Sequence, residues 1–296
     1  MKVSICCLTY NHEGLIEHAL KSFAEQKTDF DFEVVVGDDC STDNTQQVVK
    51  DFISNSSLRV VTLFNKENTG TLKNFANVVE HCQGKYIAIC DGDDYWTDPF
   101  KLQKQVDFME QHPQCSLLVG NSMVHPYMQE TQFPLIKNKS TGRITFEDFE
   151  RFVFPACTIF LKKSCFPKEF FERLKNAFFG DRSLFLMALN AGEVHYVDEI
   201  WGVYRGGVTS VTRGKSDEYF IKGWIPNLYL LKPYFIKSNR RWLRSHIAVQ
   251  YERLAGIYFK QRKLHLVFLN LLQSLAVYPL RRYREYADAY YRSFRS

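Results

Sequence analysis

Short apolar runs alternate with stretches of helical apolar spacing along the first 125 residues of the chain. Residues 3–9, 32–37, 60–64, 86–90 and 117–120 read as buried strands. Between them Leu15, Ile16, Ala19, Leu20 and Phe23 recur at helical intervals, followed by Val48, Val49 and Phe52 on a second helix. Residues 72–81 and 101–111 continue the pattern, the last helix closing before Pro113. Asp43-Asn44 is placed to cap the second helix. Such alternation predicts βαβ units and a mostly parallel central sheet flanked by helices.

Ligands of such sheets bind beyond the carboxyl ends of the strands. The polar clusters of this chain fall there: Thr9-Tyr10-Asn11, Asp38-Asp39, Asn65 to Asn68, and Asp91 to Asp94. The run Asp91-Gly92-Asp93-Asp94 sets three carboxylates within four residues after an apolar strand. Adjacent carboxylates repel, so such a cluster calls for a cation. Mg²⁺ and similar ions take one or two protein carboxylates together with substrate phosphates. An acidic turn is the ordinary alternative for a lone pair of such residues; the convergence of four strand ends argues for a site.

Beyond residue 125 the pattern weakens. Thr145 and Asp148 form a capping-box signature before Phe149, Phe152 and Val153. Residues 158–162 suggest another strand, and Gly180-Asp181 precedes the helical pattern of Leu184, Phe185, Met187, Ala188 and Leu189. From 216 onward helical spacing continues without a strand signal. There Leu264, Phe268, Leu271, Leu272, Leu275 and Ala276 make an apolar face expected to pack inward.

The composition is globular, with 45% hydrophobic and 24% charged residues. A net charge of +5 conceals an asymmetry. Residues 232–296 hold 14 Lys and Arg against 3 Asp and Glu, whereas residues 1–231 carry a net −6. That predicts an anionic surface as partner for the C-terminal region, and no nucleic-acid motif accompanies the charge. The eight cysteines lack metal-finger spacing. Several lie in apolar runs, which suits a reducing compartment. The N-terminus runs straight into a strand without a signal-peptide pattern, and residues 264–280 are a poor membrane span. A cytoplasmic location is the expectation, with 232–296 either in peripheral contact with an anionic membrane or forming a solvated basic face on a packed helical appendage.

With these residues assembled, the chain resembles the family 2 glycosyltransferases of the GT-A fold, which are inverting and use nucleotide sugars. The matching pieces occur in order: Leu8-Thr9-Tyr10-Asn11, Gly37-Asp38-Asp39-Cys40-Ser41-Thr42-Asp43, Asn68-x-Gly70, Gly84-Lys85-Tyr86-Ile87, Asp91-Gly92-Asp93-Asp94 and Gly180-Asp181. The resemblance implies a Rossmann-like GT-A catalytic domain over 1–215. Its nucleotide-sugar half covers about 1–125 and its acceptor half 126–215, with a basic helical region at 216–296.

It also implies roles. Leu8, Thr9, Tyr10, Asn11, Asp39, Asn68, Asp91 and Gly92 would bind the nucleotide sugar, Asp39 accepting a hydrogen bond from the base. Asp91 and Asp93 would hold a divalent metal, Mn²⁺ or Mg²⁺, on the diphosphate. Asp181 would be the general base, with helix capping as its plainer job. Lys73 and Asn74 would face the donor. Tyr95-Trp96 either walls the sugar site or plugs the core. Family members often follow a Tyr-Arg pair with a His; here Tyr204-Arg205 is followed by Gly206-Gly207-Val208-Thr209-Ser210. Arg205 would then either meet the diphosphate or lie on the surface. His12, His18 and His81 carry little weight as ligands. The partners implied are a nucleotide diphosphate sugar and a glycan or lipid-linked acceptor. Alternatives are a sugar-nucleotidyltransferase, disfavoured because Tyr10-Asn11-His12-Glu13-Gly14 is not a Gly-rich basic loop, and a non-catalytic nucleotide-sugar-binding protein.

Overall fold

The computed structural model describes residues 1–126, 131–206 and 214–278. The chain divides into two compact units, Met1–Val211 and Thr212–Ser296. In chain order the first begins β1 (Val3–Thr9), α1 (Ile16–Ala24), β2 (Phe32–Asp38), α2 (Thr45–Ser54), β3 (Val60–Phe64), α3 (Thr71–His81), β4 (Tyr86–Ile89), β5 (Tyr95–Trp96) and α4 (Lys101–Gln111). It continues β6 (Cys115–Pro126), β7 (Phe133–Pro134), β8 (Gly142–Ile144), α5 (Phe146–Arg151), β9 (Phe160–Lys162), α6 (Lys168–Leu174), α7 (Gly180–Ala191) and β10 (Glu193–Gly206).

The strands form one mixed sheet in the order β3-β2-β1-β4-β9-β6-β10-β5, with β7 on β6 and β8 on β10. From β3 to β4 every pairing is parallel. β9 then enters antiparallel between β4 and β6, and β6 and β10 run parallel again. β1 is buried along its whole length, so both faces of the sheet centre are covered by apolar side chains. Ile5, Val34, Val36 and Ala88 meet Ile16, Leu20 and Phe23 of α1 in one core. Each large apolar side chain buried there contributes about 1.5–3 kcal/mol. All eight cysteines are free thiols.

Parallel register sets the site. Thr9 lies beside Asp38, and Asp38 beside Phe64, so the residues after β1, β2 and β3 leave the sheet at one edge. Cys6 pairs with Ile89, which brings the acidic turn after β4 to the same edge. One element outruns its sequence signal and one falls short of it. The strand expected at 117–120 extends to Pro126 as β6, and residues 156–158 form a 3₁₀ turn ahead of β9. The capping box at Thr145 is present in full: Asp148 N–H donates to Thr145 Oγ1 and Thr145 N–H to an Asp148 carboxylate oxygen.

The second unit comprises α8 (Asp217–Leu231), α9 (Arg240–Lys260) and α10 (Leu264–Val277). Ile221, Ile225, Leu254 and Tyr258 form its core, with Leu266 and Val267 packed against them. Here one expectation is corrected. The apolar face of α10 does not pack inward: Leu264, Phe268, Leu271 and Leu272 are exposed, while Asn270 and Ser274 are the buried residues of the helix. Ser274 Oγ donates to Glu252 Oε1 of α9 at 2.8 Å, and Asn270 Nδ2 to its own helix at Leu266 O, so polar partners hold the inner side.

Candidate active site

Backbone geometry ties the first two strand ends together. Asn11 has φ 56°, a left-handed turn that asparagine tolerates. Its N–H donates to Ser41 Oγ at 2.9 Å, and its Oδ1 accepts from Thr42 N–H at 2.8 Å. His12 N–H reaches Thr45 Oγ1 at 2.8 Å, and Glu13 N–H reaches Asp43 Oδ2 at 3.1 Å. The side chain of Asn11 is thus spent on shaping the loop. Asp38 serves the same end, accepting from Ser41 and Gln46.

Asp39 organises the neighbouring loop. Its Oδ1 accepts from Asn65 Nδ2 at 3.0 Å and from Thr69 N–H and Oγ1 at 2.9 Å each; its Oδ2 accepts from Gly70 N–H at 2.8 Å. Gly70 has φ 89°, a conformation that favours glycine. Burial opposes ionisation of Asp39, yet the hydrogen bonds from Thr69, Asn65 and Gly70 hold its carboxyl below the usual range. One Oδ2 lone-pair direction is left for a further donor. Asn74 is a brace: its Nδ2 donates to Gly37 O at 2.8 Å. Lys73 is exposed and outside the cleft lining.

Leu8, Thr9, Tyr10, Asp39, Asn68, Asp91, Asp93 and Asp94 line one cleft of about 420 Å³, together with His12, Tyr204 and Arg205. Gly92 sits behind it. A Cβ there would lie 2.6 Å from Ile16 Cδ1 and 3.0 Å from Thr9 Oγ1, so a larger residue would have to displace the buried Ile16 side chain. Burial, then the charges of Asp93 and Asp181, push the Asp91 carboxyl up to about 7. Asp94 is raised by burial and by Asp93 in the same way.

Asp91 Oδ1, Thr9 Oγ1 and His12 Nδ1 are buried polar atoms without a hydrogen-bond partner. Buried polar groups ordinarily have one, so three such atoms at one cleft mark a place for a ligand. The donor set fits a hard divalent cation: Asp91 and Asp93 offer carboxylate oxygens, and a cation would reverse the repulsion that raises Asp91. Among the described residues no group of three His, Cys, Asp or Glu could hold a metal by itself.

β10 brings Arg205 to the acids through its backbone. Arg205 N–H donates to Asp94 Oδ1 at 2.8 Å. Its guanidinium lies 4.5 Å from the Tyr95 ring centroid, and its Nη2 is 2.6 Å from His18 Nδ1. His18 stacks on Tyr95 at 3.9 Å. The positive charge of Arg205 and the desolvation of His18 both lower the imidazole pKa, desolvation more. Arg205 therefore lines the cleft, held in place by a neutral ring and an aromatic face. Trp96 is buried in the core, so of the Tyr95-Trp96 pair only Tyr95 turns toward Arg205.

His12 is the residue that sequence reasoning undervalued. Its Nε2 stands 3.9 Å from Asp93 Oδ2. Burial lowers its pKa against the pull of the Asp93 charge. Its place in Thr9-Tyr10-Asn11-His12, one residue past a site segment, was the available signal. Asp181 lies in the first turn of α7, exposed, its Oδ1 accepting from Arg182 N–H at 2.7 Å. It does not occupy the N-cap position, which is Phe179. Its charge raises Asp91 and Tyr204, though Asp181 is not among the residues lining the cleft. The structure thus gathers Asp39, Asp91, Asp93 and Asp94 in the cleft, whose lining includes neither Asp181 nor Asn11.

A mixed sheet with carboxylates beyond its parallel strand ends is the architecture of the GT-A glycosyltransferases. The profile of glycosyl transferase family 2 matches residues 4–166, and the chain belongs to that family. The uncharacterized protein Rv1520 of Mycobacterium tuberculosis is 39% identical over 115 residues, 39% of this chain and 33% of that protein. Poly(ribitol-phosphate) beta-N-acetylglucosaminyltransferase TarS of Staphylococcus aureus is 37% identical over 123 residues, 40% of this chain and 21% of its own length. The chain thus spans a third or less of these relatives. The structure of TarS 1–349 with UDP-GlcNAc superposes with a TM-score of 0.67 at 17% identity, covering 94% of this chain and 82% of that one. Mannosyltransferase PcManGT of Pyrobaculum calidifontis, in complex with GDP-Man and Mn²⁺, gives 0.56 at 16% identity, covering 99% and 80%. These likenesses to solved structures establish the fold. No described helix is long and apolar enough to cross a membrane.

Proposed function

We propose that the chain is a metal-dependent inverting glycosyltransferase, moving a sugar from a nucleotide diphosphate to a hydroxyl of a glycan or lipid-linked acceptor. Surface-polysaccharide assembly at the cytoplasmic face of a membrane, with peripheral contact through 232–296, is the setting we infer. The observation that carries this reading is the meeting of Asp39, Asp91, Asp93 and Arg205 in one cleft, with Asp181 close enough to raise Asp91.

In this reading Leu8, Thr9 and Tyr10 wall the base and the free Oδ2 direction of Asp39 accepts its N–H. Asn68 and the backbone at Gly92 border the donor. Asp91 and Asp93 hold Mn²⁺ or Mg²⁺, which when bound neutralises charge on the diphosphate. The Arg205 guanidinium adds a fixed positive charge for the same oxygens. Asp181 accepts the proton of the acceptor hydroxyl as its oxygen forms a bond to the anomeric carbon. The bond from that carbon to the diphosphate breaks on the opposite face, which inverts the configuration. Positioned proton transfer of this kind contributes roughly 10²–10⁴ in rate.

The test combines binding and turnover. Thermal-shift screening of nucleotide diphosphates with Mn²⁺ should single out one base, since specific binding stabilises by mass action. With the matching sugar donor, Asp181→Ala should lose transfer while keeping nucleotide binding, and Asp93→Ala should lose the metal-dependent shift. Unchanged turnover in both variants would refute the roles.

A further inference from the structure

Helix α10 packs Leu266 and Val267 on the core of its unit and turns a second apolar face outward. Leu264 is 65% exposed, Phe268 66%, Leu271 41% and Leu272 47%, while Ser274 is fully buried. Helical spacing sets these four side chains in one stripe along the helix. A contiguous apolar stripe of this kind, with Phe259 also 66% exposed at the end of α9, marks an interaction surface. Lys260, Arg262 and Lys263 stand at the start of the stripe, in the turn joining α9 to α10.

Beside the stripe lies a cleft of about 740 Å³ within the same unit. Lys232, Arg240 and Arg244 line it together with the apolar side chains of Leu243, Ile247 and Val277. Among the described residues no carboxylate lines it and none of the three cations has an ion pair. Arg240 Nε donates to Phe235 O at 2.9 Å, which fixes that guanidinium at the cleft. The nearby acids are engaged elsewhere: Glu218 with Lys222, Tyr258 and Gln261, and Glu252 with Ser274. A concave wall bearing cations alone concentrates anions. Ala276, which lines the cleft, follows Leu272 of the stripe by one helical turn, so the two surfaces are continuous.

We propose that this cleft receives the phosphate headgroup of an anionic membrane lipid while the α10 stripe enters the acyl boundary beside it. A 14-residue helix is too short to span a bilayer but suits one lying in the interface. The basic side chains then face the anionic leaflet and the stripe faces its hydrocarbon. Arg281, Arg282 and Arg284 lie outside the described residues. It rests on the peripheral-membrane part of the reading above and is independent of the transfer chemistry.

The test is co-sedimentation of the full chain with vesicles of phosphatidylcholine alone and of phosphatidylcholine mixed with phosphatidylglycerol. Two double variants accompany it, Lys232→Gln with Arg244→Gln and Phe268→Asp with Leu272→Asp. All four positions are exposed, and unchanged melting temperatures confirm folding. The wild-type chain should bind the mixed vesicles only, and each double variant should bind about tenfold more weakly or worse. Wild-type binding that survives the charge variant would overturn the headgroup cleft while leaving membrane contact in place. No wild-type binding to mixed vesicles would remove both. A wild-type dimer that Phe268→Asp with Leu272→Asp dissociates, without vesicle binding, would assign the stripe to a second copy and overturn the proposal.

Discussion

The backbone N–H of Arg205 donates to Asp94 Oδ1 at 2.8 Å, joining β10 to the acidic turn across 111 residues of sequence. Burial and the Asp93 charge raise the Asp94 pKa, and a neutral carboxyl still accepts that hydrogen bond. Asp94→Asn therefore keeps an acceptor at the same place. Its donor KM should stay within about twofold of the parent. Asp94→Ala strands a buried N–H, at a cost of about 1–3 kcal/mol, and releases Arg205. A lower melting temperature and a donor KM raised about tenfold, one order in affinity, are expected of it. Equal behaviour of the two variants in steady-state kinetics would remove the hydrogen bond from the account.

Much of this arrangement was legible in the sequence where side-chain period and chain breaks agree. The strand at Val60–Phe64 and the helix at Lys101–Gln111 fall where the apolar pattern sets them. β10, with 14 residues, left no such trace. Its register shifts between Glu193 and Val194, Val197 and Ile200, and Ile200 and Gly202. Each irregularity moves the inward positions out of phase, so the period-2 signal cancels over the run. β6 hid its second half for another reason: Asn121 and Ser122 are buried polar residues, and Asn121 is satisfied by Ile136 of a distant segment. The acids announced the cleft because strand ends collect ligands. The parts that needed the structure, His12 beside Asp93 and Arg205 on Tyr95, depend on contacts between segments far apart in the chain.

Asp39 offers a pH-dependent test of its loop clamp. Its folded pKa lies below the ordinary carboxylate value, so the unfolded chain binds the extra proton first as pH falls. The stabilisation is present above about pH 4 and is lost as pH drops through the lower folded value. Asp39→Asn replaces one acceptor oxygen by a donor facing Gly70 N–H or the Thr69 pair. It should lower the melting temperature at pH 7, and the gap from the parent should narrow as pH falls from about 4 through the lower folded value, below which both side chains are neutral. A gap constant across that range would show that the carboxylate charge contributes nothing to the clamp.

Gly92 can be tested by a compensating pair. Gly92→Ala drives a methyl toward Ile16 Cδ1, 2.6 Å away, in a core position of α1. Overpacking of this kind costs about 1–3 kcal/mol and displaces Asp91 and Asp93 on either side. Transfer activity and melting temperature should both fall. Ile16→Val removes the clashing Cδ1, so the double variant should be more stable than Gly92→Ala alone. A strictly additive cycle in thermal melts would contradict this contact.

Lys101 is a buried lysine behind the cleft, its ammonium 3.8 Å from the Trp96 ring centroid and donating to Gln105 Oε1 at 2.8 Å. Desolvation lowers its pKa to about 7. Between that value and the unfolded value near 10.4 the unfolded chain holds the proton and the native chain does not. Stability contributed through this group therefore rises with pH over that window, and below pH 7 the penalty for burying it is complete. Lys101→Met removes the titration. It also leaves Gln105 Oε1 without its donor, a cost that does not vary with pH. The melting temperature of the variant relative to the parent should thus be highest at and below pH 7 and decline steadily toward pH 10. Thermal melts at intervals across that range provide the measurement. A difference independent of pH would mean that Lys101 keeps an ordinary pKa and stays charged in the core.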